Sequence, residues 1–166
     1  MQAYQLFQHV KPSIVSDMFM WMRDTDRELY KTALGSLASN RKLRLTYLQK
    51  KPATEQIEWM HKTLKLKTSG MIAEHLLQVY FMKGQESLLV TFCDALEIPH
   101  DGKGQVENEL PDTLDPDKLK AAVDALLEGN DPALVALYLH TFNLQTPDGW
   151  TGLTKTLADD ERLTLS

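Results

Sequence analysis

Residues 115–145 read DPDKLKAAVDALLEGNDPALVALYLHTFNLQ, and this stretch decides the fold class. Asp115-Pro116 and Asp131-Pro132 each place a capping carboxylate ahead of a proline. The carboxylate accepts the free N–H groups of a first helical turn, and proline at the first helical position gives up an N–H that had no partner there. Apolar residues then recur every three or four positions. The pairs predict helices over about 116–128 and 132–145, separated by Glu128-Gly129-Asn130, where Gly or Asn supplies the left-handed residue of a helix stop.

Working outward, the same signals continue. The pattern predicts helices over about 13–23, 25–38, 41–50 and 53–65, with Pro52 as a breaker. Ser69-Gly70 opens another to Met82, closed by Lys83-Gly84, and Gln85 to Glu97 forms the next. Pro99 to Leu114 is a polar stretch rich in carboxylates and is read as the longest loop, a linker or mobile segment. After Pro147-Asp148-Gly149, the common face of Trp150, Leu153 and Leu157 predicts a short final helix. Leu43–Tyr47 and Leu64–Lys67 alternate like strands, but neither is rich in β-branched residues, so helix is preferred.

The expected fold is therefore all-α: a single domain over 1–166 with about eight or nine helices packed as antiparallel hairpins. A shift of 46 residues superposes Leu77 on Val123, Leu88 on Leu134 and Phe92 on Tyr138. That period lies in the HEAT/armadillo range and raises similar stacking as an option. Equal-length amphipathic hairpins match this way without shared ancestry. The expected core contains Phe19, Trp21, Leu34, Leu37, Leu77, Tyr80, Phe81, Leu89, Phe92, Leu96, Val123, Leu126, Leu127, Leu134, Leu137, Tyr138 and Phe142.

Composition bounds the function. The chain has 166 residues, 43% of them hydrophobic, and a net charge of −5. Residues 1–83 hold 13 Lys and Arg against 7 Asp and Glu, whereas residues 84–166 hold 5 against 16. One cysteine, Cys93, precludes an internal disulfide. No leader-like N-terminus and no apolar run of membrane-spanning length is visible, so a cytoplasmic location without membrane contact is expected.

No catalytic motif stands out. Gly-x-Ser-x-Gly, the phosphate-binding Gly-x-x-x-x-Gly-Lys and a dinucleotide Gly-x-Gly-x-x-Gly are all missing, and no cofactor is expected. Asp101-Gly102-Lys103-Gly104 lacks the ligands of a calcium loop at its third and fifth positions. Two Glu-x-x-His triples occur, Glu58–His61 and Glu97–His100, a spacing that di-iron bundles use on helices. Pro99 interrupts the second, and the first sits among lysines and reads as exposed. His75 and His140 lie on or beside apolar faces and read as satisfied histidines. His9 and His100 read as surface residues, and Cys93 as structural.

The sharpest feature is a basic segment. Arg41, Lys42, Arg44, Lys50, Lys51, Lys62, Lys65 and Lys67 are opposed only by Glu55 and Glu58, with Tyr47 and Trp59 interleaved. Cations with aromatics are the combination that contacts phosphates and stacks on bases. A dedicated nucleic-acid domain is usually basic overall, and this chain is acidic. The plainer readings are a solvated face or pairing with the acidic half. Met18–Met22, with Trp21, is apolar all round and reads as core or as a partner-docking helix. The favoured expectation is a non-enzymatic protein-interaction or scaffold module. Its first alternative is nucleic-acid binding through 41–67, and its second a small helical enzyme or metal-binding protein around His61 or His75. Another protein is the expected partner, and a homodimer is compatible with the charge asymmetry.

Overall fold

The computed structural model describes residues 1–146 and 150–166. The Pro147-Asp148-Gly149 breaker lies outside the described residues. Ten α-helices pack among those described, close to the expected number, and no strand occurs there apart from an isolated bridge between His100 and Val106. The all-α expectation therefore holds. Backbone contacts divide the chain into two compact units, Met1–Tyr80 with Ser166, and Phe81–Leu165.

The first unit contains α1 (Ala3–His9), α2 (Pro12–Thr25), α3 (Arg27–Asn40), α4 (Leu45–Gln49), α5 (Ala53–Leu64) and α6 (Gly70–Val79), with a 3₁₀ turn at Lys67–Ser69. Its helix α1 went unread in the sequence, because seven residues carry too short an apolar pattern. Its Leu6 and Phe7 are fully buried, and it packs on α6. Helix α2 packs against α3 and α5. Its Met18, Phe19 and Met22 are buried, while Met20 is exposed and Trp21 half-buried with its ring edge toward Tyr80. The apolar run is thus mainly core. A π-helical turn, Tyr80–Gly84, carries the chain from the first unit into the second.

The second unit contains α7 (Glu86–Ala95), α8 (Pro116–Leu127), α9 (Pro132–Asn143) and α10 (Thr151–Asp159). The Asp-Pro reading is met closely. Asp115 accepts from the N–H groups of Asp117 and Lys118, Asp131 accepts from that of Ala133, and Gly129 adopts φ +85° after α8. Helix α7 packs on α8, α8 on α9, and α9 on α10. Phe81, Phe92, Tyr138 and Phe142 form an aromatic cluster at centroid spacings of 4.9–6.2 Å.

Three expectations need correction. The 99–114 loop joins two helices of one unit, and the chain changes units at residue 80. The two helices of the first 46-residue copy, α6 and α7, accordingly fall in different units. The preference for helix over strand at 43–47 is met, since α4 covers Leu45–Gln49 with Leu48 fully buried. Four expected core residues, Trp21, Leu127, Leu134 and Phe142, are only partly covered.

Candidate functional site

The basic segment splits into residues with different surroundings. Lys51 lies 3.7 Å from Glu55, and its ammonium stands 4.9 Å from the Tyr47 ring centroid. Lys62 pairs with Glu58 at 3.3 Å. Trp59 and Lys65 are half-buried, and Lys67 is exposed on the 3₁₀ turn. Arg41, Lys42, Arg44 and Lys50 are exposed around α4 and have no carboxylate partner among the described residues. Leu43, 40% exposed, and Tyr47, 58% exposed, lie between them. The structure therefore collects four of the ten candidate residues at one corner, joined there by Leu43 and Tyr47. Trp21 is on α2 and half-covered.

Local geometry explains the corner. Helix α3 ends with Lys42 at φ 55°. The Lys42 N–H donates to the Ser39 carbonyl at 3.1 Å and the Leu43 N–H to the Ala38 carbonyl at 2.8 Å. This pair of bonds is a Schellman stop with lysine where glycine is usual. Arg41 and Lys42 are favoured at a helix C-terminus, but Arg44 is the N-cap residue of α4 and makes no capping bond. A cation there opposes the helix dipole, and the position favours Ser, Thr, Asp or Asn.

The corner is fixed from beneath by Gln56, a residue the sequence reading passed over. Gln56 is buried on α5. Its amide donates to the carbonyls of Leu48 at 3.1 Å and Lys51 at 3.0 Å, and its oxygen accepts from the Tyr30 hydroxyl at 2.6 Å. One side chain therefore ties the end of α4 to α3 and α5. A buried polar residue in a helix register otherwise made of Ile57, Met60 and Leu64 was the available signal.

The histidines have structural surroundings. His61, expected to be exposed, is buried, and its Nε2 donates to the Phe7 carbonyl at 3.0 Å. Its apolar register with Ile57 and Leu64 outweighs the neighbouring lysines. Burial lowers its pKa, against the raising effect of that hydrogen bond. Glu58 of the same triple is exposed and points to Lys62. His75 is exposed at the rim of a groove of about 240 Å³ between α3 and α6, where Met71 is also exposed. Burial lowers the pKa of His140. Among the described residues no three His, Cys, Asp or Glu side chains gather closely enough to hold a metal ion.

His100, expected at the surface, organises the start of the acidic loop and has a side chain only 12% exposed. Its Nδ1 accepts from the N–H groups of Gly102 and Gly104, each at 3.1 Å. Its Nε2 therefore carries the proton and donates to Asp94 at 2.7 Å. Cys93 is fully buried beneath this loop, and burial pushes its thiol up to about 11, as expected of a structural cysteine. Further along, the Trp150 indole donates to the Pro111 carbonyl at 2.6 Å. Between these ties lies a cleft of about 600 Å³ lined by Leu96, Ile98, Pro99, Pro111 and Leu114, with the Glu97–Lys118 pair at 2.6 Å.

No family model, curated protein or solved structure matches the chain. Among the described residues no helix is long and apolar enough to cross a membrane.

Proposed function

We propose that this protein is a non-enzymatic protein-interaction module whose docking surface is the α3–α4 corner and whose partner presents an acidic segment with apolar side chains. The observation that carries this reading is the grouping of Arg41, Lys42, Arg44 and Lys50, without carboxylate partners among the described residues, around exposed Leu43 and Tyr47. Unpaired cations select acidic partners and speed their encounter. Exposed leucine and tyrosine supply the apolar contact that nucleic-acid phosphates cannot use. Arg44 at an unfavourable cap position supports a role outside the fold, since local rules are most often broken at functional sites. Gln56 holds the surface in place before a partner arrives, which lowers the ordering cost of binding.

The aromatic content favours proteins over nucleic acid for a further reason. Trp59 is half-buried, so of the two aromatics interleaved with the cations only Tyr47 offers an open ring for stacking bases. The test is a fluorescence-anisotropy titration with a labelled acidic–apolar peptide and, separately, with labelled single- and double-stranded oligonucleotides. The expected result is peptide binding that weakens with salt and is lost in the Arg44→Glu/Lys50→Glu variant. Tighter binding of the oligonucleotides, with a steep salt dependence, overturns the protein-partner reading.

A further inference from the structure

The second unit carries a surface that answers the corner in both charge and apolarity. The 600 Å³ cleft beside the end of α7 is open, and its lining joins Leu96, Ile98, Pro99, Pro111 and Leu114 to polar side chains that include Glu109 and the Glu97–Lys118 pair. Glu107, Glu109 and Asp112 stand exposed on the loop that forms one wall, with no cationic partner among the described residues. Its size is within the ~300–1,000 Å³ of ordinary binding clefts. The wall is held by the His100 bonds at one end and by Trp150 on Pro111 at the other. A cleft with apolar side chains in its lining and an acidic rim calls for an apolar side chain flanked by cations.

The corner has that composition: Leu43 and Tyr47 are exposed between four cations. The charge balance of the units agrees. Residues 1–80 hold 12 Lys and Arg against 7 Asp and Glu, and residues 81–165 hold 6 against 16. We infer that the partner of the α3–α4 corner is a second copy of this chain, with Leu43 and Tyr47 seated in the Leu96–Leu114 cleft and the flanking cations on its acidic rim. This rests on the reading of the corner as a protein-docking surface. Two copies that exchange both contacts close as a two-fold dimer, and copies that share one contact each extend as a chain.

Charge reversal in two places tests it. Arg44→Glu/Lys50→Glu cancels the corner's positive charge, leaving Arg41 and Lys42 against two glutamates, and Glu109→Lys/Asp112→Lys leaves the rim with two lysines against Glu107. All four positions are exposed, so circular dichroism is expected to show unchanged helix content. Wild-type protein is followed by sedimentation from micromolar to hundreds of micromolar. Salt runs from ~10 mM, where charges act over ~30 Å, to ~1 M, where they act over ~3 Å. The expected result is self-association at low salt that weakens at least ~10-fold at high salt. Each variant alone stays monomeric, because its corner and rim no longer attract each other. An equimolar mixture of the two associates again, because the intact corner of the rim variant meets the intact rim of the corner variant.

A wild-type chain that stays monomeric throughout, or a mixture that fails to associate, overturns the inference. If the monomer still binds the acidic–apolar peptide through the corner, the interaction-module reading survives. If it binds neither, both fall.

Discussion

Helices α3 and α7 end in the same way and their following residues have opposite fates. Each stops on a non-glycine residue in the left-handed conformation, Lys42 at φ 55° and Glu97 at φ 56°. Each makes the same pair of bonds, the second from Leu43 to Ala38 and from Ile98 to Cys93, both 2.8 Å. After Glu97 the chain turns inward at Ile98, which is 5% exposed, Glu97 meets Lys118, and the start of the loop beyond is bonded to His100. After Lys42 the chain stays open, with Leu43 exposed and the neighbouring cations without carboxylate partners among the described residues. A helix stop thus fixes the direction of the chain without deciding whether the next residues join the core. That is decided by what the unit offers opposite them, which is why the α3–α4 corner is available to a partner.

The comparison breaks most visibly at Gly104, which has no counterpart after α3. Its φ is +83°, and a Cβ there would overlap the Leu89 Cβ and lie 2.7 Å from both the Leu89 carbonyl carbon and the Val90 nitrogen. Gly104→Ala is expected to cost about 3 kcal/mol in urea unfolding, from overpacking and left-handed strain together. A loss below about 0.5 kcal/mol would mean that the loop is not seated on α7.

Next in size are the two polar anchors. Gln56→Leu removes the bonds to the Lys51 carbonyl and the Tyr30 hydroxyl and one of those to the Leu48 carbonyl, which keeps the Lys51 N–H, and about 2 kcal/mol of stability is expected to go. Peptide binding at the corner is expected to weaken with it. His100→Ala is expected to cost a similar amount and to leave the corner's binding unchanged. Equal effects of the two variants on binding would show that the corner is not positioned by Gln56.

The matched helix stops supply the finest test. Lys42→Gly relieves a left-handed side chain and is expected to stabilise by about 1 kcal/mol. Glu97→Gly relieves the same strain but removes the partner of Lys118, so its gain is expected to be smaller. Identical gains in Tm would show that the Glu97–Lys118 contact contributes nothing.

The smallest effect is a pH dependence. Burial lowers the folded-state pKa of His61, so the unfolded chain binds the proton more readily. Stability is then full above the ordinary histidine value of about 6.5 and falls as pH drops through the lowered folded value. His140 shifts in the same direction. Thermal melts of wild type and His61→Gln between about pH 5 and pH 8 check this. The variant is expected to show a shallower decline on acidification, and an unchanged decline would move the effect to His140.

Much of this was legible in residues acting on their near neighbours. Asp115, Pro116, Gly129, Asp131 and Pro132 dictated helix limits through bonds and dihedrals spanning a few positions, and apolar spacing sufficed to declare the chain all-α. The basic segment was equally plain as composition. Its division into paired, half-buried and open cations was not, since pairing depends on which side chains adjacent turns present. Two histidines were misplaced for the same reason: His61 is surrounded in sequence by lysines yet covered by Phe7 from 54 positions away, and His100 is held by Asp94 and a loop that folds back. Gln56 gained its meaning only when α4 arrived above it. The sequence by itself determined the helices and the charge asymmetry, because both arise from local chemistry. Only the tertiary structure decided which groups were left without partners, because a missing partner is a property of the whole packed surface.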